Sequence, residues 1–166
     1  MIVSNSSPLI DLGRIGRLGL LKDLFGLVIV PEEVKAETVD NGLENKSPDA
    51  YVIRDAINAG WIEVRKTAAL PGLEDFGIDL GEAEALSLAK ELGVKEILID
   101  ERHARLAAKA LGLQPRGILY VLFLALRKGL IDIGEYESCL DELRKAGFRL
   151  GEDVHREALN MGRQLK

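Results

Sequence analysis

"VSNSSPLIDLGR" spans residues 3–14 and joins two kinds of local order. The short apolar run 2–4 reads as a strand, and the residues after the serines read as a helix. Pro8 suits the first helical position, with Ser7 as the expected N-cap. Asn5 is the polar residue at the junction. In an open α/β sheet, ligands bind at such junctions, beyond the carboxyl ends of the strands.

The same alternation recurs along the chain. Runs 28–30, 62–64 and 97–99 are rich in β-branched residues, and the segments between them carry helical spacing. That pattern predicts a parallel sheet covered by helices on both faces. Pro31 opens a second helix, "PEEVKAETV". Stretches 41–49 and 70–81 are turn-rich and are expected as surface loops. Beyond Gly117 the pattern is mostly helical: an apolar run at 118–126, expected as a fully buried helix, then 136–146, then a short extended piece. A terminal helix follows, with its cap expected near Glu152 or Asp153. No repeat or linker divides the chain, so residues 1–166 are expected to form one domain with a mostly helical part from about residue 117.

Composition narrows the function classes. Of 166 residues, 47% are hydrophobic and 30% charged, which fits a globular domain with a sizeable core. The net charge of -5 argues against a molecule that binds nucleic acid by overall charge, while leaving room for a local basic face. Cys139 is the only cysteine, which excludes an intrachain disulfide and a cysteine zinc site and suits a cytoplasmic protein. The start lacks a secretory pattern, and the run 118–126 is far short of the ~20 residues a membrane span needs. Aromatic residues are only 5%, so a base-stacking platform is not expected.

Three acids accompany Asn5. Asp100 follows the run 97–99; if that strand lies beside the first, Asp100 and Asn5 share one sheet edge. The competing reading makes Asp100 the N-cap of the helix that begins at Glu101. On a helical wheel Glu37 falls beside Val34 and Thr38, on the inner face, against the plainer account of a partly exposed flank residue, whereas Glu32 and Glu33 complement the helix dipole. In "LGEAEALSLAKELG" the apolar face comprises Ala85, Leu88, Ala89 and Leu92. Glu82 borders that face, while Glu84 and Glu91 point away and are expected in solvent. Dipole complementarity in the first turn is the plainer account of Glu82. Taken together, these residues describe oxygen ligands at one end of a parallel sheet. Such a set suits Mg²⁺ or Mn²⁺, and the chemistry it serves is phosphodiester hydrolysis.

The stretches "VSNSSPLIDLGRIGRLGLL", "FGLVIVPEEVKAE", "LGEAEALSLAKELG", "ILIDERHARLAAKALGL" and "RGILYVLFLALRKGLI" together resemble the PIN-domain superfamily, and within it a group of predicted nucleic-acid-binding proteins. The motifs keep the family order from residue 2 to about 131. The resemblance implies a three-layer α/β/α sandwich around a mainly parallel sheet. It implies an Mg²⁺- or Mn²⁺-dependent endoribonuclease, often the toxin of a toxin–antitoxin pair. By position, the metal ligands it implies are Asn5, Glu37, Glu82 and Asp100, with Glu101 as neighbour; Glu37, Glu82 and Asp100 would be catalytic, and Ser6 would support the first position and the RNA. Asn5 departs from the family pattern, which has aspartate there. An amide binds a hard cation through its carbonyl oxygen but brings no negative charge and cannot act as a general base at neutral pH. Asp11, one turn on, is expected to point elsewhere.

Basic residues supply the other half of an RNA site. Arg102 and Arg105 follow Asp100 and are candidates for RNA phosphates, against the alternative of a solvated helix face. His103 shares a wheel face with Leu106, Ala107 and Ala110 and is expected to pack inward; His155 has no evident partner. Arg14, Arg17 and Lys22 are candidates for a basic rim. The expected partners are an RNA substrate, an antitoxin protein and a second copy of the chain, with 118–126 or the first helix as the homodimer face. The rival reading keeps the fold but makes it a catalytically weak or silent module that binds RNA or a protein. A receiver or P-loop domain is disfavoured: no acid pair follows the first strand, and no phosphate loop is present.

Overall fold

The computed structural model describes residues 1–165. Five parallel strands form one sheet: β1 (Ile2–Ser4), β2 (Val28–Pro31), β3 (Ile62–Arg65), β4 (Glu96–Leu98) and β5 (Gln114–Arg116), in the order β3-β2-β1-β4-β5. Helices α1 (Ser6–Arg14) and α2 (Gly19–Phe25) link β1 to β2. Between β2 and β3 run α3 (Glu32–Lys35), a wide π-helical turn Ala36–Asp40, α4 (Asn41–Glu44) and α5 (Pro48–Ala59). Helix α6 (Leu80–Leu92) precedes β4, and α7 (Arg102–Ala110) precedes β5. Three helices follow: α8 (Ile118–Arg127), α9 (Ile133–Lys145) and α10 (Glu152–Gln164).

Period-two alternation divides the sheet between two cores. Ile2, Val28, Val30, Ile62 and Leu98 pack with α1, α2, α5 and α8–α10 on one face. Val3, Ile29, Ile97 and Ile99 pack with α6 and α7 on the other. The result is a three-layer α/β/α arrangement, as the resemblance implies.

Several local expectations change. β5 went unread because Pro115 stands in its middle, yet it pairs with Ile97. Gln114 N–H donates to Lys95 O at 2.8 Å, and Arg116 O accepts from Ile99 N–H at 2.9 Å. In a parallel ladder, neighbours of such residues face the other way, so Pro115 spends no donor that β4 needs. Segment 41–49 is not a loop: it carries α4 and the first turn of α5, whose N1 is Pro48. The run 118–126 is not fully buried: Ile118, Val121, Leu122 and Ala125 face the core, whereas Leu119, Tyr120 and Phe123 are half-buried. The cap of α10 is Gly151, ahead of the expected acids. Among the described residues, no helix is long and apolar enough to cross a membrane.

Helix α10 seats on α9 through a close approach. Buried Tyr136 donates its hydroxyl to Ala158 O at 2.9 Å, and a Cβ at Gly162 would lie 2.5 Å from the ring Cε1. Gly162→Ala is therefore expected to cost about 1–3 kcal/mol through overpacking. Urea unfolding checks this; an unchanged midpoint would mean that α10 shifts without resistance.

Candidate active site

The sheet order places β4 beside β1 on the side opposite β2, so the chain reverses its direction of winding between these two strands. That switch point leaves a crevice at their carboxyl ends. Ser4 registers with Leu98, and Asn5 N–H donates to Leu98 O at 3.0 Å. Asn5, not Ser7, occupies the N-cap position of α1, in extended backbone, and its side chain caps nothing. The residue is 3% exposed, and its Oδ1 is buried without a hydrogen-bond partner. An acceptor left in that state costs roughly 1–3 kcal/mol unless a donor or cation meets it.

Ser6 opens α1 and donates its hydroxyl to Glu37 Oε2 at 2.6 Å. Glu37 lies in the π-helical turn, a feature that recurs at functional sites. Its carboxylate rests against Gly81, where any Cβ would collide with it. Thus the α1 terminus, the π turn and the α6 terminus meet. Burial pushes the Glu37 carboxyl up; Ser6 opposes this, and Asp79 and Glu33 add to it. Glu82 is buried and forms a capping box: its N–H donates to Asp79 Oδ1 at 2.8 Å, and its Oε2 accepts Asp79 N–H at 3.0 Å. Burial also raises the Glu82 carboxyl, with Asp79, Glu101 and Glu37 contributing. Asp79 was missed as a member of this group, although the D-x-x-E spacing to Glu82 was legible.

Glu84 corrects the wheel. It is 9% exposed rather than solvated, and burial and Glu33 raise its carboxyl. Every residue of α6 from Gly81 to Ala89 is buried, because α3 packs on the helix in addition to the sheet. A wheel assumes one covered face. Glu91 is exposed as expected and accepts from Thr67 Oγ1 at 2.9 Å.

Asp100 does not cap α7. Its two oxygens each accept Ile118 N–H at 3.2 Å, at the start of α8, and a Cβ at Gly117 would collide with Oδ1. The N-cap of α7 is Glu101, which accepts Ala104 N–H at 3.0 Å. Burial raises the Asp100 carboxyl to about 6, against the relief offered by Ile118 N–H and Arg105, and with a further push from Asp11. Asp11 is itself raised by burial, with Arg14 and Asp49 as its charged neighbours. Arg105 donates from Nη1 to Ile99 O at 3.0 Å, which holds it beside Asp100.

Arg102 is exposed, and so is His103. The inner face of α7 is Ala104, Ala107 and Ala108, so the helix is rotated from the phase that put His103 inside. Of the residues expected in a basic rim, Arg14 is half-exposed and faces buried Asp49 at 3.9 Å, Arg17 lies beside the buried Cys139 thiol, and Lys22 is exposed. His155 finds Asp141 at 3.5 Å.

The residues expected at the site thus share one sheet edge without collapsing to a point. Glu37, Glu82 and Glu101 lie in one electrostatic neighbourhood, and Asp100 and Arg105 in another. Among the described residues, no three His, Cys, Asp or Glu side chains form a group that could hold a metal ion. The donor type nevertheless suits a hard divalent cation: carboxylates raised by burial and by one another, beside an orphaned amide oxygen.

The fold is a three-layer α/β/α domain that carries these acids at one edge of its sheet. A family model described as PIN domain matches residues 1–163, and the chain belongs to that family. No curated protein and no solved structure matches the chain.

Proposed function

We propose that this PIN domain is a divalent-metal-dependent endoribonuclease, with the whole chain acting as one domain. The observation that carries the reading is the buried, unpartnered Asn5 Oδ1 at the switch point, on the sheet edge that also carries Asp100. PIN domains generally use divalent metals. The residues that would hold Mg²⁺ or Mn²⁺ here are Asn5, Glu37, Glu82 and Asp100, with Glu101 at the flank. When bound, such an ion polarises a phosphoryl oxygen and lowers the pKa of water. Ser6 orients the Glu37 carboxylate, and the amide of Ile118 orients Asp100. Arg105 and the exposed Arg102 would hold RNA phosphates. Hydrolysis adds water at phosphorus and releases the ribose 3′-oxygen. Pairing with an antitoxin protein, a homodimeric state and a cytoplasmic setting belong to the same proposal.

A second reading has its own support. Asn5 supplies no charge, and Glu82 is committed to a capping box. Both favour a silent module that binds RNA or a protein. Labelled RNA of mixed sequence separates the two, incubated with Mn²⁺, Mg²⁺ or EDTA. Cleavage that needs metal and falls at least a hundredfold in Glu37→Gln supports the nuclease. No cleavage by the native chain, with cleavage gained in Asn5→Asp, supports the silent module.

A further inference from the structure

A cavity of about 370 Å³ opens beside Asp100 and is walled on another side by the segment 148–151 ahead of α10. Its lining is mixed in a way that matters. Arg105 and Arg149 bring two guanidinium groups, Tyr120 brings an aromatic ring, and Phe148 and Leu150 bring apolar surface. The volume is in the range of small-ligand pockets, about 300–1,000 Å³.

Each residue has a structural reason for its place. Tyr120 stands two residues into α8, the helix whose first amide binds Asp100. Its ring is half-buried and carries the Arg116 guanidinium 4.5 Å from its centroid. That cation fixes the ring and leaves it as a wall rather than a core side chain. Arg149 is exposed and forms no ion pair among the described residues, whereas neighbouring surface charges at Asp153 and Arg156 pair with one another. An unpaired guanidinium, a fixed aromatic wall and an apolar floor beside a carboxylate match one chemical class: a phosphate linked to a flat, hydrophobic heterocycle.

We infer that this cavity is a subsite for one nucleotide of single-stranded RNA, adjacent to the phosphate that is cut, with Arg149 on its phosphate and Tyr120 stacked on its base. The inference rests on the nuclease reading, because Asp100 gives the cavity its direction. Single-stranded RNA is specified because a base must leave its own stack to meet a side chain. One ring suffices for one base, so the low aromatic content is no obstacle.

The test is equilibrium binding of a short fluorescent single-stranded RNA, read by anisotropy in EDTA so that cleavage plays no part. Tyr120→Ala is expected to weaken binding about tenfold, in keeping with one lost stacking contact, and Tyr120→Phe to restore it. Arg149→Ala is expected to weaken binding and to lower the salt dependence by about one counterion. Circular dichroism confirms that each variant folds. Native affinity in both Tyr120→Ala and Arg149→Ala overturns the subsite, and so does a native chain that binds no RNA. A partner protein seated in the cavity would give the first of these results. The cleavage assay with Glu37→Gln reports on the nuclease independently, so loss of the subsite and loss of the nuclease are distinguishable.

Discussion

Replacing Asp100 with asparagine is expected to stabilise the metal-free protein at pH 7.5 while removing RNA cleavage. The Asp100 carboxyl has an ordinary value of 3.8 and is raised to about 6 by burial. Below pH 3.8 the group is protonated in the folded and unfolded chains alike, and no penalty arises. Between the two values the unfolded chain ionises first. Above about 6 the folded chain carries the full cost of a poorly solvated charge. Stability from this group is therefore greatest in acid and is lost as pH rises through that window. At about 1.4 kcal/mol per unit, the penalty near neutrality is about 2–3 kcal/mol. Asparagine still accepts the Ile118 N–H through Oδ1 but has no charge to desolvate. For a chain of this size the midpoint should rise by roughly 4–12 °C in EDTA. The gap should close near pH 4. An Asp100→Asn midpoint below that of the native chain at pH 7.5 would show that the carboxylate is well solvated or well paired.

The mirror-image expectation concerns Asn5→Asp. Asn5 is 3% exposed, and its Oδ1 has no donor. A carboxylate there would sit at the switch point with no cation among its hydrogen-bonding neighbours. In EDTA the variant should lose about 2–4 kcal/mol at neutral pH, the order of cost for an unpaired buried polar or charged group. Saturating Mn²⁺ should return most of it, because a ligand bound only by the folded state stabilises it by mass action. The comparison is the Mn²⁺-dependent shift in melting temperature, which should be larger in Asn5→Asp than in the native chain. A variant destabilised equally with and without Mn²⁺ would remove Asn5 from the cation site. These two substitutions thus act in opposite directions on the metal-free fold, one removing a charge and the other adding one at the same crevice.

Much of this was legible in the sequence, and the omissions have physical causes. Strands β1 to β4 announce themselves by β-branched runs, and the adjacency of β1 and β4 makes Asn5 and Asp100 neighbours at one edge. Glu82 follows from helical phase, because one side of its helix faces the sheet; Glu37 is half-buried in a π-helical turn, whose wider winding a 3.6-residue wheel does not describe. What phase cannot report is a third body. Glu84 is buried because α3 lies across α6, and no periodicity within α6 contains that fact. Asp100 has a local role open to it as the cap of α7, yet it binds an amide 18 residues away in sequence. Local capping rules rank the near partner first, and tertiary structure chose the far one. Gly81 falls in a stretch expected as a surface loop, and Gly117 only marks where the mostly helical part begins. Their importance is the absence of a Cβ where a carboxylate has to pass.

Pro115 has a consequence for how this molecule meets its surroundings. β5 is an edge of the sheet, and Gln114 and Arg116 spend their ladder groups inward on β4. The outward-facing position is Pro115, which has no N–H to offer. A strand approaching that edge would find a break in the row of donors at the centre of a three-residue strand. The edge thus resists continuation into a larger sheet, a common route to aggregation. Association with another chain is thereby directed to side-chain surfaces, where recognition is selective, and away from backbone pairing, which accepts almost any sequence.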